Sequence, residues 1–359
     1  MKTALLAAGL MAAALYLLPD GRSRESGSGQ AAPSTVVALH WTEQSSGVTA
    51  RLRGVSAASD RVVWASGAQG TLLRTADGGS TWTRLPIPDA GRLDFRDIDA
   101  VDARTAYVLS IGAGQASRIY KTTDAGAQWQ LQFTNDNPKA FFDAMAFQDA
   151  THGLAVSDSV DGQFVIITTN DGGLHWARIP AAALPPALPN EGAFAGSGTN
   201  IAVLGRDRAW IGTGASTRSR VLRTEDSGRT WSIADTPIVT SASAGIFSVA
   251  FRDPRNGLAV GGDYTKEQDA SGVAAATNDG GVTWHALRGL GGFRSVIAPA
   301  PRSKAGWIAA GPSGADASTD DGRTWTPIPG PGYHAFAFAP HSNIGWGVGE
   351  RGRIGKLVW

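Results

Sequence analysis

One eight-residue phrase recurs six times in this chain and constrains the fold more than any other feature. The copies run from Thr75, Thr122, Thr169, Thr224, Thr277 and Ser318 to Trp82, Trp129, Trp176, Trp231, Trp284 and Trp325, each reading Ser/Thr-x-Asp-x-Gly-x-x-Trp. Their aspartates, Asp77, Asp124, Asp171, Asp226, Asp279 and Asp320, are spaced by 47, 47, 55, 53 and 41 residues. A period of this length marks a propeller blade or a solenoid turn.

The phrase has the chemistry of a hairpin turn. An Asp carboxylate can accept a backbone N–H two residues on, and glycine supplies φ > 0 without steric cost. The leading hydroxyl can tie the incoming strand to the turn, and the Trp opens the outgoing strand with a large apolar face. Gln128 and His175 stand where the other four copies have Thr, so that place tolerates change. A calcium loop is the functional rival, but no copy has the evenly spaced oxygen ligands and distal Glu such a loop requires. The motif resembles the Asp-box, or BNR repeat, of sialidases and many non-enzymatic propellers. That resemblance places it between the third and fourth strands of each blade.

Composition narrows the function classes. The 359 residues include 46 glycines, which suit many tight turns, and no cysteine, which excludes disulfides and thiolate chemistry. A formal net charge of +1 offers no nucleic-acid surface. Residues 1–31 read as a secretion signal or uncleaved anchor: Lys2 is basic and Ala4–Leu18 is apolar but short for a membrane span. The polar, Gly/Ser/Pro-rich stretch Pro19–Thr35 ends in a linker at 32–35, and the folded part begins at 36. The expected location is the periplasm or cell envelope, and the expected state is a monomer.

Each Asp-box follows a pair of apolar strands, and Gly345–Val358 adds a seventh pair without a box. Before each pair stands a further alternating segment: Leu52–Ala57, Phe95–Ala100, Phe142–Phe147, Ala193–Gly198, Ile246–Phe251, Phe293–Ala298 and Tyr333–Phe338. The seventh unit lacks a fourth strand, and Val36–Gln44 supplies one from the other end of the chain. The expected fold is all-β: a seven-bladed propeller with Asp-box hairpins, its last blade closed by the N-terminal strand.

Strand alternation puts the Asp-boxes on one face and the starts of the inner strands on the other. Aligning the inner strands brings Arg53, Arg96, Asp143, Phe194, Phe247, Arg294 and His334 to equivalent places at that second mouth. Glu191, Asp263 and Tyr264 lie in neighbouring loops. Three guanidinium groups fit carboxylates or phosphates, so the mouth is a candidate anion or partner site. The competing expectation is that Arg53, Arg96 and Arg294 pair with Asp97, Asp143 and Glu191 and simply plug the channel. No metal-ligand spacing and no cofactor-binding loop is evident.

The phrases LRGVSA (Leu52–Ala57), LDFRDI (Leu93–Ile98), FFDAMAF (Phe141–Phe147), GIFSVAF (Gly245–Phe251), AVGGDY (Ala259–Tyr264) and FRS (Phe293–Ser295) resemble those of the photosystem II stability/assembly factor family and its bacterial relatives. The resemblance implies a non-catalytic propeller whose basic patch engages a protein partner, such as a membrane complex under assembly. It would place Arg53, Arg96 and Arg294 in that patch. The alternative is a sialidase-like glycoside hydrolase, with the arginines on a sugar carboxylate. Asp143 or Glu191 would then be the acid and Tyr264 or Tyr333 the nucleophile. Sialidases carry Arg-Ile-Pro before the first box, whereas Arg178-Ile179-Pro180 follows the third box here.

Overall fold

The computed structural model describes residues 39–359; the expected leader and linker lie outside them, as does the start of the N-terminal strand. Seven four-stranded antiparallel sheets follow one another around the ring. Blade 1 comprises Leu52–Ala57, Val63–Gly67, Thr71–Thr75 and Thr83–Arg84. Blades 2 to 6 repeat that order, with inner strands Asp94–Ala100, Phe142–Phe147, Ile201–Leu204, Ala244–Phe251 and Val296–Pro299. In blade 7, Ala335–Phe338, Ile344–Val348 and Ile354–Val358 are completed by Trp41–Gln44, with Trp41 opposite Leu357 and Gln44 opposite Ile354. The ring is thus shut by strands from both ends of the described chain, which removes the open sheet edges. Among the described residues, the helical turns are three short 3-10 segments, and no helix is long and apolar enough to cross a membrane.

One expected strand is corrected. Ala193–Gly198 is not the inner strand of blade 4, which is Ile201–Leu204. The third and fourth boxes are the most widely spaced pair, and the additional residues form a loop ahead of that strand. Sequence alternation alone could not tell such a loop from the strand it precedes.

The hydroxyl and amide bonds of the Asp-box recur in every copy, while the side-chain bond from the seventh residue is missing at Gln128. In blade 5, Thr277 Oγ1 donates to Asp279 Oδ1 at 2.7 Å and accepts the Gly281 amide at 2.9 Å. Asp279 in turn accepts the Thr283 amide at 3.0 Å and its hydroxyl at 2.6 Å. The carboxylate therefore reaches four residues ahead rather than the expected two, and spans the whole turn. His175 fills the Thr place by presenting Nδ1 to Asp171 at 2.7 Å.

The boxes also join neighbouring blades. Trp210 of blade 4 donates its indole N–H to Gly280 O in the blade 5 box at 2.8 Å. Tyr107 of blade 2 donates to Gly172 O in the blade 3 box at 2.8 Å. Lys356 and Gln44 of blade 7 both reach Gly78 O of blade 1, at 3.3 and 3.2 Å. Between blades, Trp64, Trp210, Trp307 and Trp346 are fully buried, each such aromatic contributing about 3 kcal/mol or more of apolar burial.

Candidate functional site

The inner strands meet the mouth through β-bulges. The register shifts between Leu52 and Gly54, Phe95 and Asp97, Phe142 and Ala144, and Ile246 and Ser248. Arg53, Arg96, Asp143 and Phe247 are therefore the extra residues. In blade 7, His334 and Ala335 both face Val348. A bulge breaks the alternation and re-aims a side chain. One residue from each of six blades, Arg53, Arg96, Asp143, Phe247, Ser295 and His334, lines a common cavity of about 810 Å³. No Asp-box residue lines that cavity.

Two of the seven aligned positions are corrected by the register. In blade 6, Ser295 and Val296 both face Ala310, so Ser295 holds the bulge and Arg294 stands one place before it. A one-residue offset in a strand turns the side chain to the other face. Arg294 accordingly leaves the mouth and is only 3% exposed. It is held by Asp316 at 2.7 and 2.6 Å, Phe293 O at 2.9 Å and Ser313 at 3.1 Å. In blade 4, Asn200 O accepts the Gly212 amide, so Thr199 takes the place expected for Phe194. Phe194 still reaches the cavity, but from the preceding loop.

Three further expectations change. Glu191 is 1% exposed and its carboxylate is committed to Arg220, with Thr213 donating at 2.6 Å and the Leu188 amide at 2.8 Å. Glu191 lines the cavity as expected, but its carboxylate is spent on this clamp, which fixes the loop. Asp263 lies outside the lining residues and closes its own turn by accepting the amide and hydroxyl of Thr265 at 3.0 and 2.7 Å. Tyr333 is fully buried under Trp41, ring centroids 4.2 Å apart, so it cannot serve as a nucleophile at the mouth.

Nor do the arginines pair as the channel-plug expectation has it. Arg96 donates to Asp94 at 3.0 Å and to Ala195 O at 2.9 Å. Arg53 donates to Gly196 O at 3.4 Å. Asp97 instead accepts the Met145 amide at 2.7 Å, tying the inner strands of blades 2 and 3. Arg51, two residues before Arg53, also lines the cavity. It restores a set of three mouth arginines after Arg294 is removed.

The electrostatics are those of charges crowded away from water. Burial, aided by Arg96 and Arg51, lowers the Arg53 guanidinium to about 10. Burial and then Arg53 lower His334 to about 4, although its Nε2 stands 2.7 Å from Glu350 Oε1. His334 is therefore neutral at pH 7, donates through Nε2, and leaves Nδ1 as an acceptor. Burial lifts Asp158 to about 6. Burial and the adjacent Asp158 raise Asp143 well above the ordinary carboxylate range. Arg51 Nε, Arg53 Nε, Asp143 Oδ2 and His334 Nδ1 are buried atoms without a hydrogen-bond partner. Opposite the charges, Phe194 and Phe247 stack at 4.2 Å, with Phe293 and Tyr264 against Phe247 at 4.7 and 6.1 Å.

Comparison with known proteins agrees with this architecture. Residues 37–137 match the family described as photosynthesis system II assembly factor YCF48. The chain is 25% identical over 232 residues to the chloroplastic photosystem II stability/assembly factor HCF136 of Arabidopsis thaliana, covering 62% of this chain and 52% of that protein. It is 24% identical over 255 residues to a xyloglucanase of Paenibacillus sp, covering 62% of this chain and 24% of that enzyme. The matches thus span about half and about a quarter of those relatives. A solved structure described as YCF48 bound to D1 peptide superposes with a TM-score of 0.63 at 18% identity, covering 89% of this chain and 97% of that one. The chain is an Asp-box propeller that resembles the photosystem II stability/assembly factors.

Proposed function

We propose that this protein is a non-catalytic, exported binding propeller that captures a protein partner at its Arg51–Arg53–Arg96 mouth. The observation that carries the reading is one cavity onto which three arginines converge. A guanidinium carries five N–H donors, so those not spent on Asp94, Ala195 O and Gly196 O remain for a carboxylate. A D1 peptide bound to one YCF48 supports a protein partner as the ligand. A membrane complex under assembly is the partner class that the family resemblance favours. The apolar start of the chain supports export to the periplasm or envelope, where the propeller would act as a monomer without cofactor, metal or nucleic acid. Replacing both Arg53 and Arg96 by Glu should abolish salt-sensitive capture of the partner by cross-linking in the native envelope. Undiminished capture by that double variant would sink the proposal.

One observation favours a second reading, a glycoside hydrolase: Asp143 and Asp158 are interacting carboxyls with raised proton affinity in the same cavity. Such a pair can divide acid and base roles, and a xyloglucanase is among the relatives. Turnover of xyloglucan or a chromogenic glycoside that disappears in Asp143→Asn would establish it. Absence of turnover across both substrate types would dispose of it.

A further inference from the structure

The loop ahead of blade 4 lays a short piece of the chain's own backbone across the mouth. Its Phe194 ring stacks on Phe247 with planes inclined by 15°. The carbonyl of the next residue, Ala195, accepts from Arg96, and that of Gly196 accepts from Arg53. The loop is anchored beneath by the Glu191–Arg220 clamp and by paired Gly192 and Gly214 amides at 3.2 and 2.9 Å. An aromatic ring on one wall, followed one and two residues later by acceptors on the arginines, is thus an arrangement the mouth already holds.

The aromatic wall is peculiar to this side of the ring. Of the residues standing at the bulge places, Arg53, Arg96, Asp143, Thr199, Ser295 and His334 are polar and Phe247 alone is apolar. Its neighbour Tyr264 is 50% exposed, so it offers a free ring face at the rim of a cavity otherwise rich in charge. Phe194 is only partly covered. The facing wall holds Arg51, Arg53 and Arg96, with Glu350 near the first two. A peptide carboxylate matches the fork of N–H donors that a guanidinium presents.

We infer that this mouth recognises a peptide segment in which an aromatic residue is followed, one or two positions later, by an acidic one. The ring packs on Tyr264 and the outer face of Phe194, while the carboxylate takes the arginines in place of the weaker carbonyl acceptors. The inference rests on the partner-binding reading above and adds what the partner must look like. A neutral sugar fits less well, because it has no charge to set against three guanidinium groups.

The test is fluorescence anisotropy of the full chain with labelled peptides. The core peptide is Ser-Gly-Phe-Ala-Glu-Gly-Ser, compared with versions carrying Ala for Phe, Gln for Glu, or Glu moved four residues away. Each change should weaken binding by roughly tenfold. Tyr264→Ala is at a half-exposed site and should fold; it should erase the preference for Phe over Ala while keeping the preference for Glu over Gln. Dependence on Glu without dependence on Phe or on spacing would overturn this inference and leave the arginine mouth standing. Dependence on neither would overturn both. Displacement of the core peptide by a xyloglucan oligosaccharide at comparable concentration would overturn it in favour of a sugar site.

Discussion

The two rims of this ring are built from the same number of turns and follow opposite rules. On the Asp-box rim, six blades make the same hydroxyl-to-glycine-amide bond, so that Thr75, Thr122, Thr169, Thr224, Thr277 and Ser318 are interchangeable in role. On the mouth rim, equivalent bulges present a different side chain in nearly every blade. A contact repeated around a ring can support only what every blade needs, namely a closed hairpin and a joint to its neighbour. Recognition of an asymmetric partner requires the blades to differ. Repetition therefore marks the structural rim, and its loss marks the rim that carries information.

The largest expected effect cuts across that division. Arg294 belongs to the mouth rim by position, but its buried pairing with Asp316 is structural. Asp316→Ala should destabilise the fold by about 3–5 kcal/mol in denaturant titration, because it strands a buried guanidinium. A cost near zero would mean that Arg294 is freer than its bonds indicate. Next comes the Asp-box rim. Thr277→Val keeps the shape, removes the hydroxyl and leaves the buried Gly281 amide unmet, at a cost of about 1–3 kcal/mol. An unchanged midpoint would show that the box bonds are redundant.

The smallest effect, and the most discriminating, is in pH. Asp171, Asp226 and Asp279 are held down to about 2 by bonds within their boxes, led by the His175 amide at Asp171 and the Thr230 hydroxyl at Asp226, and at Asp279 against the opposing effect of burial. Their contribution is complete above the ordinary Asp value and is lost as pH falls toward 2. At the mouth, Asp158 holds its proton more tightly folded than unfolded, so it subtracts stability as pH rises from about 4 to about 6. His334 holds its proton less tightly folded, so it adds stability as pH rises from about 4 toward its ordinary value. These two act with opposite sign, in a window where Asp97, Asp99 and Asp143, also raised by burial, subtract stability as pH rises. Relative to the wild-type profile, Asp158→Asn should shift the slope across that window upward, and His334→Gln should shift it downward. Thermal midpoints measured at half-unit steps would show both slopes; parallel profiles for the two variants would refute the assignment.

Seven blades, their order and the closing strand were legible because the Asp-box fixes strand three against strand four, and alternation then counts backward. The mouth was legible only where spacing was regular. Arg53, Arg96 and His334 fall at bulges of the same register. Arg294 misleads because the phrase Phe293–Ser295 looks like its counterparts while the bulge sits one residue later. Phe194 misleads because the loop ahead of blade 4 alternates as a strand would. The Glu191–Arg220 clamp joins residues from different turns, and no local pattern announces such a pair. The aromatic wall of Phe194, Phe247, Phe293 and Tyr264 comes from four separate segments and exists only in three dimensions.

Closure of the last blade has a consequence in time as well as in space. Trp41–Gln44 pairs with Ile354–Val358, a contact between segments nearly the whole described chain apart, and loops of that length form late. Blade 7 also contributes His334, and the turn beside its closing strand contributes Glu350, to the mouth. A growing chain therefore has neither a sealed ring nor a finished mouth until its final strand is made. The act that seals the ring is also the act that completes the mouth, so a half-built copy has no finished cavity.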